Sequence, residues 1–222
     1  METTGTTART GAGVKPAGSR HRITVADLER GSDAFERYEG RDSMYRVATF
    51  LLDQWWGRHP DMVDALSVLL LTWNSAFYRY GMFDQEKLEK CLKDQWDQIQ
   101  RFHDREISSL GDEDQGAVRT VFNALRDALQ IREGKKKGKK SSVAVAKTLH
   151  LLAPRFFPLW DAEIADVYGC DYAKESADAY VRFCGIIRDI AMDVGRLTSP
   201  SPKSLLKRID EYNNAKYTKE WI

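Results

Sequence analysis

The sequence predicts an all-α fold, a compact bundle of about eight to ten helices. Three observations predict it. Apolar residues recur at spacings of three and four along almost the whole chain. No alternating β-branched run and no Asn-Gly or Asp-Gly hairpin turn is present. No solenoid-length repeat or linker-like break divides the chain. Residues 23–222 therefore read as one helical domain. Residues 1–22, polar and rich in Gly and Thr, read as a disordered tail, inert or brushing nucleic acid.

The helices come in this order. Ser43 caps a helix to about Arg58, with Tyr45, Ala48, Leu51, Leu52, Trp55 and Trp56 as its apolar stripe; Gly57 and Pro60 end it. Asp61 opens a second, from Met62 to about Tyr80. Its middle, LSVLLLTWNSAFY, is apolar nearly all round, as in a central buried helix. Gly81 stops it. Asp84 caps a third, Gln85 to about His103, with Leu88, Leu92, Trp96, Ile99 and Phe102 inward. Asp104 to Leu110 reads as a short helix or turn. A further helix covers about Asp114 to Ile131, with Val118, Val121, Phe122, Leu125 and Leu129 inward.

GKKKGKK (134–140) cannot pack and reads as a solvated loop. Ser141 or Ser142 caps the next helix, which reaches Leu152 and is broken by Ala153-Pro154. After the aromatic turn RFFPLW, Asp161 caps a short helix ending at Tyr168-Gly169. A long helix spans about Tyr172 to Val194. Ser201-Pro202 starts the last, with Leu205, Leu206, Ile209 and Tyr212 inward.

Composition narrows the partners. Positive and negative residues nearly cancel, at net +1, so the distribution of charge matters more than its sum. Cys91, Cys170 and Cys184 fit no disulfide framework and no zinc or iron–sulfur spacing; they read as buried free thiols. No leader-like segment and no membrane-length apolar run is present, which implies a cytoplasmic protein.

Four features carry chemistry. Five lysines in six residues (Lys135, Lys136, Lys137, Lys139, Lys140) stand before a Ser-capped helix N-terminus at Ser141 and Ser142. That junction suits a DNA phosphate, although lysine runs also serve as plain solvated faces. Asp161, beside Trp160, is a helix cap by residue type. Its carboxylate could also stabilise an oxocarbenium-like sugar, but on residue type the cap is favoured. Trp73, Asn74, Phe77 and Tyr78 stand on the second helix. Aromatic rings there are core material, but a buried Asn74 needs partners and could face a flipped base. Lys147 and His150 share a face of the helix after the loop; they read as a solvent-exposed lysine and a satisfied structural histidine.

The order of these features resembles the helix-hairpin-helix DNA glycosylase superfamily across about residues 62–195. FFPLWDAEIADVYG is the closest match, with Phe157, Pro158, Asp161, Ile164 and Gly169 in family-like positions. LSVLLLTWNSAFYRY is similar to the early helix that touches the base pocket. QGAVRTVFNALRDAL is similar to the helix before the hairpin, and GKKKGKKSSVAVAKTLHLL occupies the hairpin and its second helix. The family's Leu-Pro-Gly-Val-Gly hairpin is replaced by Lys and Ser, and the four-cysteine iron–sulfur loop of some members is missing. The resemblance makes Asp161 the catalytic aspartate. It leaves Lys140 and Lys147 as misplaced candidates for the lysine nucleophile of bifunctional members.

The expected function is therefore monofunctional DNA base excision on double-stranded DNA. The lysines, Ser141 and Ser142 would hold phosphates, while Trp73, Asn74, Tyr78 and Trp160 would line the base pocket. No metal or other cofactor and no membrane is implied, and the protein is expected to act as a monomer. The alternatives are a non-catalytic helical DNA-binding module and a protein-interaction domain.

Overall fold

Caps and breaks decide where this chain turns into helix. The computed structural model describes residues 22–39, 42–171, 175–198 and 201–222. The expected tail, but for Arg22, lies outside them, as does the expected helix start at Tyr172. The described residues form an all-α bundle: eleven α-helices, two short 3-10 turns and one π-helical turn. They contain no β-strand; a lone antiparallel bridge joins Phe83 to Ile131.

The structure adds a helix that the periodicity reading does not assign. α1 (Val25–Tyr38) begins in a capping box, with Thr24 and Asp27 each bonding the other's backbone N–H. α2 (Ser43–Gln54) comes next. The long helix expected over 62–80 is two pieces, α3 (His59–Trp73) and α4 (Ser75–Tyr78), with the break at Asn74. There the amides of Phe77 and Tyr78 both turn to the Asn74 carbonyl, which leaves the Trp73 carbonyl to an outside donor. The helix expected over 85–103 is also two, α5 (Gln85–Asp94) and α6 (Trp96–His103). Then come α7 (Gln115–Ala128), α8 (Ser142–Leu152), α9 (Ala162–Val167), α10 (Ser176–Gly195) and α11 (Leu205–Asn213).

α8 is buried on nearly every side and packs against α7, α3 and α2. α1 lies on α11 at unusually short range. A Cβ on Gly31 would stand 2.5 Å from the Tyr212 Cα, so only glycine allows the approach. The lysine loop folds back on the segment after α4. Gly134, at φ +82°, takes a left-handed turn, and a Cβ there would meet the Tyr80 carbonyl oxygen. One hydrophobic cluster runs from Ile23 to Tyr212. The three cysteines are buried free thiols. No helix among the described residues is long and apolar enough to cross a membrane.

One buried carboxylate ties α6 to the start of α7. Asp114, with no exposed surface, accepts from Arg101 at 2.6 Å, from Arg105 at 2.7 and 2.9 Å, and from the Gly111 N–H at 3.0 Å. The bonds from Arg105 lead in holding its carboxyl below the ordinary carboxylate value. A carboxyl depressed in the folded state contributes stability above its unfolded value and loses it as pH falls. Asp114→Ala leaves two partly exposed guanidinium groups and the Gly111 N–H without their partner and should cost about 1–3 kcal/mol in urea unfolding at neutral pH, a deficit that narrows in acid.

Candidate functional site

Burial of α8 forces a problem on two of its residues. Lys147 and His150 lie one turn apart on a helix otherwise made of small and apolar side chains, and each must find partners inside. His150 is fully buried. Its Nδ1–H donates to the Phe157 carbonyl at 2.8 Å, so its Nε2 accepts from the Tyr45 hydroxyl at 2.9 Å. Burial drives its basicity down to about 3, and the ring is neutral at physiological pH. This is a satisfied structural histidine.

Lys147 is not the exposed lysine expected from its sequence. Its Nζ donates to the Asn74 Oδ1 at 2.5 Å and to the Trp73 carbonyl at 3.1 Å, and lies 5.5 Å from the centre of the Trp73 ring. Here the carbonyl released by the α3–α4 break finds its donor. Burial lowers the Lys147 ammonium to about 8; Asp210 and Asp161 pull the other way.

α11 contributes the remaining charges. The Lys207 Nζ sits 4.6 Å from the Tyr45 ring centre, 4.7 Å from Phe35 and 5.4 Å from Trp73. It pairs with Asp42 at 3.0 Å and Asp210 at 3.4 Å. Burial works against its charge, but Asp210 and Asp42 outweigh that and hold it above the ordinary lysine value. Asp210 is pushed up to about 6 by burial, with Lys207 opposing and Glu211 and Asp161 adding to the rise. Tyr45 stacks on Trp73, with centroids 5.7 Å apart and planes 7° from parallel.

Asp161 stands at the edge of this group, partly buried. Its Oδ1 accepts from the Ile164 N–H at 2.9 Å, capping α9, and its Oδ2 accepts from the Thr218 hydroxyl at 2.6 Å. The cap and the partner of Thr218 are thus the same carboxylate. Its charge acts through space on both Lys147 and Asp210: it favours the charged form of Lys147 and adds to the rise of Asp210.

The structure divides the other expected residues. Trp73 and Asn74 join the cluster. Tyr78 and Trp160 do not: Tyr78 is buried with its hydroxyl donating to the Leu129 carbonyl, and Trp160 is 1% exposed with its Nε1–H on the Ser142 carbonyl. Neither presents an open face to a base. In the loop, Lys135, Lys137 and Lys139 are exposed. Lys136 donates to the Ala76 and Phe77 carbonyls at 2.7 and 3.3 Å, and Lys140 pairs with Asp127 at 2.5 Å. Ser141 caps α8 through the Ala144 N–H, and Ser142 is buried.

Sequence reasoning missed Tyr45, Lys207, Asp210 and Thr218. Only Lys147 carried a legible signal: α8 is apolar nearly all round, so a lone lysine in it has to be partnered. Among the described residues, no group of three or more His, Cys, Asp or Glu side chains could hold a metal ion. Two surface clefts, of about 430 and 400 Å³, lie along α10, and neither is lined by Asp161 or Lys147.

Compared with known proteins, the chain matches no family model, no curated protein and no solved structure.

The Lys147 Cε resonance should titrate with a midpoint near pH 8, against 10.5 for an ordinary lysine. The unfolded chain then binds more protons than the folded one between those values, so this residue makes stability rise with pH across that window. A midpoint at 10 or above would show that the amine is solvated.

Proposed function

We propose that this protein is a DNA base-excision glycosylase. It acts as a cytoplasmic monomer on double-stranded DNA and hydrolyses the N-glycosidic bond of a flipped, damaged or modified base. One observation carries the reading. The turn Trp73–Phe77 receives both Lys147, whose charge Asp161 favours through space, and Lys136 from the lysine loop.

The chemistry suits that grouping. Loss of a base leaves positive charge on the sugar, and a fixed carboxylate such as Asp161 stabilises it while water attacks. Asn74 and Trp73 are the pocket residues retained; Tyr78 and Trp160 support from within the core. Lys135, Lys137 and Lys139 hold phosphates, since Lys136 and Lys140 are engaged by the protein itself. A second reading is favoured by Lys147. An amine lowered to about 8 could attack the sugar carbon as the base leaves and, once the sugar ring opens, form an imine that borohydride would trap.

Incubation with a panel of modified duplexes, followed by alkali, should reveal abasic sites in at least one. Asp161→Asn should still bind that duplex while base release falls by about 10²–10³-fold. Replacing Lys135, Lys137 and Lys139 with serine should weaken binding and flatten the log–log salt slope by about 2.7, at about 0.9 per phosphate contact. Binding without release from any duplex would instead make the chain a DNA-binding module. Unchanged affinity in the triple-serine protein would make the loop a soluble turn.

A further inference from the structure

The C-terminal segment reaches the site by an unusual route. α11 passes into a π-helical turn, Asn214–Thr218, closed by the Lys219 N–H on the Asn214 carbonyl at 2.9 Å and the Trp221 N–H on the Ala215 carbonyl at 2.7 Å. The turn is pinned on several sides. Ala215 is buried, Tyr217 meets Tyr168 edge-on at 6.3 Å, and the Lys216 Nζ donates to the Tyr212 hydroxyl at 2.6 Å. Trp221 packs on α1 against Phe35 and Tyr38, at 6.4 and 5.1 Å. A π turn carries one more residue than an α turn and rotates the chain beyond it, and such turns gather at functional sites. Its last residue is Thr218, whose hydroxyl donates to the Asp161 Oδ2 across 57 positions of sequence.

An aspartate side chain has two rotatable bonds. The cap on Ile164 holds one oxygen and leaves the carboxylate free to swing about it; the Thr218 bond holds the other. A carboxylate meant to face developing positive charge is effective only when it is already aimed, because reorganisation at the moment of reaction would consume the gain. We propose that Thr218 is a positioning residue for Asp161, making the C-terminal π turn part of the active centre. This rests on the glycosylase reading above.

The test needs no base release. Two duplexes are compared, one with a cationic pyrrolidine at an abasic position and one with the neutral tetrahydrofuran analogue. The ratio of the two affinities reports how well the carboxylate faces positive charge, and partial unfolding cancels from it. Wild type should prefer the cationic duplex by about tenfold, as expected for a charge-assisted contact. Asp161→Asn should abolish the preference. Thr218→Val should reduce it to about threefold or less, and Thr218→Ser should restore it. Thr218→Ala serves in place of valine should that variant not fold. If Asp161→Asn loses the preference while the valine and alanine variants keep it, Thr218 has no positioning role and the glycosylase reading stands. If wild type shows no preference, Asp161 does not face the sugar, and both readings fall together.

Discussion

The site depends on the burial of α8. A helix surrounded on nearly all sides leaves its polar residues little water, so each is answered by a neighbour. Two answers shape the surroundings. The break between α3 and α4 leaves the Trp73 carbonyl and the Asn74 side chain to Lys147. The first turn of α2 supplies Tyr45 to His150. The polar cluster is thus a consequence of packing an apolar helix that is not wholly apolar.

Charge balance then draws in α11. Lys147 and Lys207 both approach the Trp73 ring, and ammonium groups drawn out of water need acids. Asp42 and Asp210 meet Lys207 directly, and Asp161 and Asp210 act on Lys147 through space. The resulting tension is visible in the opposite displacements of Lys147 and Asp210, each moved towards its neutral form by burial. Groups displaced in this way gather at catalytic sites, and structural ion-pair networks produce them too.

Asp161 shows how far residue type can lead. Asp before a short amphipathic run reads as a helix cap, and the Ile164 N–H bears out that role. The same geometry leaves its second oxygen to Thr218, a contact that no local pattern announces. Tyr78 and Trp160 teach the converse. Aromatic residues beside site residues in sequence suggest a pocket wall, but neighbouring positions on a helix or turn point in different directions, and these two point inward.

By itself the sequence determined the helical class, most helix positions, the loop at 134–140 and the Asp161 cap, because these depend on spacing, turn residues and charge within a few residues of one another. It did not determine α1's place, the breaks at Asn74 and Gln95, or the partners of Lys147 and Asp161. Gly31 permits α1 to close on α11, and that approach helps seat the C-terminal turn over Asp161. Such contacts join residues tens of positions apart, and only the packed tertiary structure decides which polar groups are desolvated and which meet.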